Sequence, residues 1–117
     1  MTAFRLMSLP AHGAMELLVG LGLMASPFVL GFSAGATLVT VVVGALVAGL
    51  ALGAAVSEAG TIDIGAHYTL DVALALGLLG AGLVFAVAGE SAAGLVLLAG
   101  GIAQLGLNLT TRYSVRR

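Results

Sequence analysis

Four long apolar runs constrain this chain more than any other feature of its sequence. They cover residues 14–32, 36–56, 68–88 and 92–109. A helix needs about 20 mostly apolar residues to cross the hydrocarbon core of a bilayer, and each run approaches or exceeds that length. The pattern predicts an all-α polytopic membrane protein with four transmembrane helices joined by short connections.

The composition indicates lipid rather than water as the surroundings of these helices. Of the 117 residues, 61% are hydrophobic and 8% are charged, and the mean hydropathy is +1.22. A soluble domain carries about 25% charged residues. Only four residues are Lys or Arg, so no basic patch is available to bind nucleic acid. We expect a single transmembrane domain over residues 1–117, with the lipid bilayer as its first partner.

The arginines predict the orientation of the chain. Arg5, Arg112, Arg116 and Arg117 all lie outside the apolar runs, near the two termini. An even number of crossings places both termini on the same face of the membrane. The positive-inside rule then predicts that both termini and the 57–67 connection are cytoplasmic. We expect this multi-pass protein in the inner (plasma) membrane of a bacterium.

A secretory signal peptide is an alternative interpretation of the first run. Arg5 precedes an apolar stretch, and residues 34–36 have the small-x-small form of a cleavage site. Glu16 at the start of the run and Pro27 within it argue against a signal peptide. We therefore expect the first run to be a transmembrane helix.

An internal repeat relates the two halves of the chain. Residues 11–24 read AHGAMELLVGLGLM and residues 66–79 read AHYTLDVALALGLL, so that histidine aligns with histidine and Glu16 with Asp71. The alignment predicts repeat 1 over 11–56 and repeat 2 over 66–111, each a helical hairpin. Because each unit crosses the membrane twice, the two tandem hairpins form a parallel repeat about an axis along the membrane normal.

The first repeat contains Ser26-Pro27-Phe28. With its two-helix repeats, the chain resembles the SPW-repeat family of small bacterial integral membrane proteins, with Phe28 in place of the family's Trp. The second copy has Ala81-Gly82-Leu83 at this place. The resemblance implies the four-helix fold, and it implies no established activity and no catalytic residues.

Proline and glycine predict local features of the helices. Pro27 is expected to kink or end the first helix, while Ser26 bonds to a carbonyl that Pro27 leaves free. Glycine lets helices approach closely within a membrane. The glycines predicted to do so, within the bundle or against another subunit, are Gly44, Gly49, Gly53, Gly101 and Gly106.

Six polar residues are predicted to share one depth near the cytoplasmic ends of the helices. The spacing i, i+4 places His12 with Glu16, and His67 with Asp71, on one face of each helix. The last run adds Gln104 and Asn108. Ionisable residues within spans are costly and suggest function by default.

Three functional interpretations of these residues remain open beside a structural one. Two histidines and two carboxylates suit zinc or another divalent metal, and two histidines alone suit haem. The carboxylates alternatively relay protons or bind a cation. In the structural interpretation, which we favour at this point, each acid stabilises the first turn of its helix and the histidines lie among lipid headgroups, near Tyr68. No cofactor is predicted.

Nothing in the sequence has the form of a catalytic motif. The chain lacks cysteine, which excludes thiolate nucleophiles and cysteine-ligated metals. The sequence favours a non-enzymatic membrane protein that acts through helix packing, as a homo-oligomer or an accessory subunit of a larger membrane complex. A small proton or cation carrier or channel using Glu16 and Asp71 is the alternative, followed by a metal- or haem-binding membrane protein.

Overall fold

The computed structural model describes residues 6–56 and 64–111. It contains the helices α1 (Leu9–Leu30), α2 (Ala34–Val56), α3 (Ile64–Val87) and α4 (Ser91–Thr110). All four are long and apolar enough to cross a membrane, so the predicted all-α membrane fold is confirmed. The four arginines and most of the 57–67 connection lie outside the described residues. The orientation therefore stays a prediction, and so does the tandem repeat.

The helix α1 begins at Leu9, five residues before the apolar run that starts at residue 14, because Ser8 caps it there. The Ser8 hydroxyl accepts a hydrogen bond from the Ala11 N–H, which caps the helix. Pro10 lies in the first turn, where a missing N–H costs nothing. The helix α3 likewise begins at Ile64, before the run at residue 68. The histidines and acids of both helices are therefore inside them.

Pro27 lies within α1, and the helix continues for about one more turn to Leu30. The Ser26 hydroxyl donates to the Leu23 carbonyl at 3.0 Å. This is the carbonyl that a residue with an N–H at position 27 would bond. Gly31 then ends the helix with a φ of 70°, in the left-handed region that glycine adopts without strain.

The closest helix packing is between α1 and α2 and between α3 and α4, while α4 also contacts α1. Among the described residues, α1 and α3 have no close backbone approach, so they lie diagonally in the bundle. At the α1–α2 contact, a Cβ built on Gly20 would lie 2.8 Å from the Gly44 carbonyl oxygen. Gly101 is equally tight against Leu79 on α3. Small residues thus set the spacing within each pair of helices.

Not all of the glycines predicted for packing are used inside the bundle. A Cβ added to Gly49 or to Gly106 would meet nothing within 4 Å. Gly53, near the end of α2, is partly buried. Gly49 and Gly106 therefore leave small, open positions on the outer surface of α2 and α4.

A layer of leucines fills the middle of the bundle. Leu23, Leu78 and Leu97 come from three different helices and form one buried cluster, each 3% exposed or less. Leu23 and Leu78 each follow the acid of their own helix, Glu16 or Asp71, by seven residues, which is two turns. The layer therefore lies beneath the acids, about 10 Å further along the helix axes.

The two short connections meet at the other end of the bundle. There the Ser33 hydroxyl donates a short hydrogen bond to the Glu90 carboxylate. Ser33 also accepts from the Ala36 N–H, which caps α2. Of the Asp, Glu, His, Lys and Arg side chains that the structure describes, Glu90 alone lies at this end.

Candidate metal centre

The acidic residues of α1 and α3 lie two turns inside their helices. Glu16 is the eighth residue of α1, and Asp71 is the eighth residue of α3. Neither helix has an acidic residue in its first turn. The structural interpretation, in which each acid stabilises the first turn of its helix, is therefore wrong. The partial positive charge of a helix N-terminus acts only within the first turn, so it does not reach either acid.

The two pairs converge on one point between α1 and α3. Asp71 Oδ2 lies 3.0 Å from His12 Nε2 and 3.3 Å from His67 Nε2. The Glu16 carboxylate lies 3.6 Å from each of the same two nitrogens. One ligand atom from each of the four residues lies within 4.8 Å of every other. The expectation that the pairs sit apart is wrong, because both histidines project into the bundle rather than toward headgroups.

All four side chains are removed from solvent and from lipid. His12, Glu16 and Asp71 are 0% exposed, and His67 is 4% exposed. Two ionised carboxylates would carry two negative charges, and such buried charges are very costly unless they are paired. Two imidazolium groups or one divalent cation would supply the compensating charge. Positive charge at the centre of the cluster would therefore be favourable.

The helix α4 contributes two further polar side chains to the cluster, Gln104 and Asn108. Gln104 Nε2 donates to Glu16 Oε2 at 2.5 Å and to Asp71 Oδ1 at 3.4 Å. The same nitrogen lies 3.3 Å from Asn108 Oδ1, so its two hydrogens are shared among three acceptors. The reverse orientation of the amide would point its oxygen at two carboxylates, so this assignment is the favourable one. Gln104 therefore holds both acids in place, and the structure brings all six residues together.

One residue at the cluster has no counterpart in the sequence analysis. Thr111 follows α4 directly and is completely buried, and its hydroxyl lies 2.7 Å from His12 Nδ1. The N-terminal segment fixes this place, since Leu6 and Met7 each donate a backbone hydrogen bond of 2.9 Å to the Thr110 carbonyl. His12 and Thr111 are 99 residues apart in sequence. Neither composition nor the repeat indicates that they meet.

The donor set and its spacing fit a four-coordinate metal ion. Bonds of about 2.0–2.2 Å from zinc to His nitrogen and carboxylate oxygen imply ligand atoms about 3.4 Å apart in a tetrahedron. The four contacts between histidine and carboxylate span 3.0 to 3.6 Å, with Glu16 reaching the two histidines through different oxygens. One ligand atom from each residue lies within 4.8 Å of the others, so the widest pair would have to draw together around an ion. Glu16 Oε1 is buried and has no hydrogen-bond partner among the described residues. A cation at the centre would satisfy this oxygen.

Haem does not fit the same place. The carboxylates of Glu16 and Asp71 occupy the space around both Nε2 atoms, at 3.0 to 3.6 Å. A porphyrin held between the two histidines would need that space for its ring.

No protein-family model matches this chain, and neither does any curated protein or solved structure. The resemblance to the SPW-repeat family stays a prediction from the sequence.

Proposed function

We propose that this integral membrane protein binds a divalent transition-metal ion, of which zinc is the prime example, at His12, Glu16, His67 and Asp71. The observation that carries the proposal is the convergence of the four buried ligand atoms within 4.8 Å of one another. The protein acts without catalysis, because four protein ligands leave no open coordination position for a substrate, as in structural zinc sites.

Charge and ligand type both favour this class of ion. A divalent cation neutralises the two carboxylates, whereas a monovalent or trivalent ion would leave a net charge in a low-dielectric interior. Imidazole nitrogen suits zinc, copper, nickel and iron, while magnesium and calcium prefer a shell of oxygens. Two nitrogen and two oxygen donors therefore favour a transition metal over the alkaline-earth ions.

The leucine layer favours binding over conduction. Leu23, Leu78 and Leu97 close the centre of the bundle between the cluster and the end that holds Glu90. An ion leaving the cluster in that direction would lose its ligands and meet the apolar side chains of this layer. The alternative of a proton or cation channel through Glu16 and Asp71 would require this layer to open.

Zinc affinity of the purified full-length chain in detergent tests the proposal. We expect the wild-type protein to bind one zinc ion per chain in competition with a chelating indicator. Glu16→Gln and Asp71→Asn keep the side-chain shapes and remove one charged ligand each. Loss of a residue that only supports a ligand costs about 10–100-fold in affinity, so each of these variants should lose at least about 100-fold.

Glu90→Gln is the matched control, because it removes one carboxylate at the opposite end of the bundle, where Ser33 is its partner. This variant should bind zinc as the wild type does. Binding of magnesium or calcium as tightly as zinc would contradict the proposed ion class. No metal in the wild-type protein, or equal affinity in all four proteins, would refute the site.

Self-association through the outer face of α2 is a second candidate function. Gly49 is open, and it borders an apolar groove of about 300 Å³ between α2 and α3, lined also by Ala45, Leu46, Leu50, Leu70 and Leu74. Open small residues permit close approach of a further helix. We expect native mass spectrometry to show a dimer that Gly49→Leu abolishes and Gly22→Leu, at an open glycine of α1, preserves. A monomeric wild type would contradict it.

A further inference from the structure

We infer that Thr111 is a positioning residue of the cluster, whose hydroxyl fixes the ring of His12 so that Nε2 faces the acids. The inference rests on the proposed function, since it explains how His12 is presented to the metal. Thr111 contacts neither carboxylate in any described hydrogen bond and would not touch the ion. It acts through His12 alone.

The Thr111 hydroxyl has a single hydrogen, and this hydrogen determines the direction of its bond with His12. Thr111 Oγ1 lies 2.5 Å from the Leu107 carbonyl oxygen and 2.7 Å from His12 Nδ1. A carbonyl oxygen only accepts, so the single hydroxyl hydrogen points to Leu107. The hydroxyl must then accept from His12, and Nδ1 carries a hydrogen. If the hydroxyl instead donated to Nδ1, two bare oxygens would face each other at 2.5 Å.

The hydrogen on Nδ1 determines that Nε2 is the nitrogen of His12 able to act as a metal ligand. A metal-bound imidazole is neutral and carries only this one hydrogen, so Nε2, which lies 3.0 Å from Asp71 Oδ2, would present its lone pair to the ion. Metal-ligating histidines usually donate their second N–H to a partner that fixes the tautomer and the ring orientation. The hydroxyl of Thr111, held by Leu107, is such a partner.

The place of Thr111 is itself fixed by a contact between residues 6–7 and the end of α4. The carbonyl of the preceding residue, Thr110, accepts from the N–H groups of Leu6 and Met7. These two bonds join the N-terminal segment to the end of α4, directly beside the cluster. The ring of His12 is thereby held by contacts that lie outside the α1–α3 pair.

Three variants test the inference by zinc affinity. Thr111→Val keeps the shape of the side chain and removes the hydroxyl, and it should lose about 10–100-fold in affinity. Thr111→Ser restores a hydroxyl and should recover most of the loss. Thr110→Val is the matched control. The Thr110 hydroxyl bonds to the carbonyls of Gly106 and Leu107 in the same turn and has no described bond with His12. This control should bind zinc as the wild type does.

A second readout follows the histidine ring without any metal. The chain has only two histidines, so ¹⁵N-labelled imidazole gives a simple NMR spectrum. The His12 Nδ1–H should exchange slowly with water in the wild type, in Thr110→Val and in Thr111→Ser, and rapidly in Thr111→Val. A merely structural role of Thr111 would leave this signal unchanged.

The two readouts separate this inference from the metal proposal. A wild type that binds no zinc refutes the metal site, whereas the slow Nδ1–H signal and its loss in Thr111→Val still support the orienting bond. Unchanged exchange in Thr111→Val overturns the inference. Equal loss of zinc affinity in Thr110→Val and Thr111→Val also overturns it, because the effect would then come from the end of α4 rather than from His12.

Discussion

Replacing Gly20 by Ala should separate α1 from α2, and the structure indicates how far. The added Cβ would lie 2.7 Å from the Ala48 backbone nitrogen and 2.8 Å from the Gly44 carbonyl oxygen. Ordinary contacts of a Cβ begin at 3.4 Å, so the nearest contact is short by about 0.7 Å. Both of these atoms are backbone atoms, and no change of rotamer removes the clash. The helices themselves must move.

The expected cost follows from the overpacking of well-packed interiors, which destabilises by about 1–3 kcal/mol. Gly22→Ala is the matched control, since it lies two residues further along α1, where an added Cβ meets nothing within 4 Å. Both variants gain the same helix propensity, about 1 kcal/mol for Gly to Ala. The difference between the two variants therefore isolates the clash.

The assay is unfolding of each purified variant by titration of SDS into mild-detergent micelles, followed by circular dichroism. Gly20→Ala should be less stable than Gly22→Ala by about 1–3 kcal/mol. Because α1 carries His12 and Glu16, its displacement should also weaken zinc binding. Equal stability of the two variants would refute the reasoning, since it would mean that Gly20 does not set the distance between the helices.

Two further predictions concern the cluster and the topology. Gln104→Glu replaces the amide that donates to Glu16 and Asp71 by a third buried carboxylate. It should lower the free energy of unfolding of the metal-free protein by about 3–5 kcal/mol. An unchanged free energy of unfolding in the SDS titration would contradict the role of Gln104. Reporter fusions after Arg117 and within 57–67 should read cytoplasmic, and fusions at Ser33 or Glu90 should read external; the opposite signals would reverse the orientation.

The fold was largely predictable because length and hydropathy act locally. A helix that crosses lipid must satisfy its backbone hydrogen bonds within itself, so an apolar run of sufficient length is enough to predict it. The starts of α1 and α3 were less predictable, since Ser8 caps α1 before the apolar run begins. That small difference moved Glu16 and Asp71 away from the first turn, and with it changed the interpretation of both acids.

The six polar residues were identified as a set from their spacing and their recurrence in the two halves. Their meaning was not predictable, because i, i+4 spacing on one helix does not say toward which neighbour that face turns. The tertiary structure decided which neighbours these faces meet, because α1 and α3 lie diagonally in the bundle and both contact α4. Thr111 was missed for the same reason, since its contact with His12 depends on how the start of α1 meets the end of α4.

The sequence by itself therefore determined four apolar helices, the residues able to carry charge inside them, and the exclusion of cysteine and nucleic-acid chemistry. Only the tertiary structure decided that His12, Glu16, His67 and Asp71 share one buried centre, that Gln104 holds the acids, and that Gly49 stays open while Gly44 is packed. The physical reason is that hydropathy is a property of each segment, whereas a metal centre or a close helix contact depends on which faces of separate helices meet.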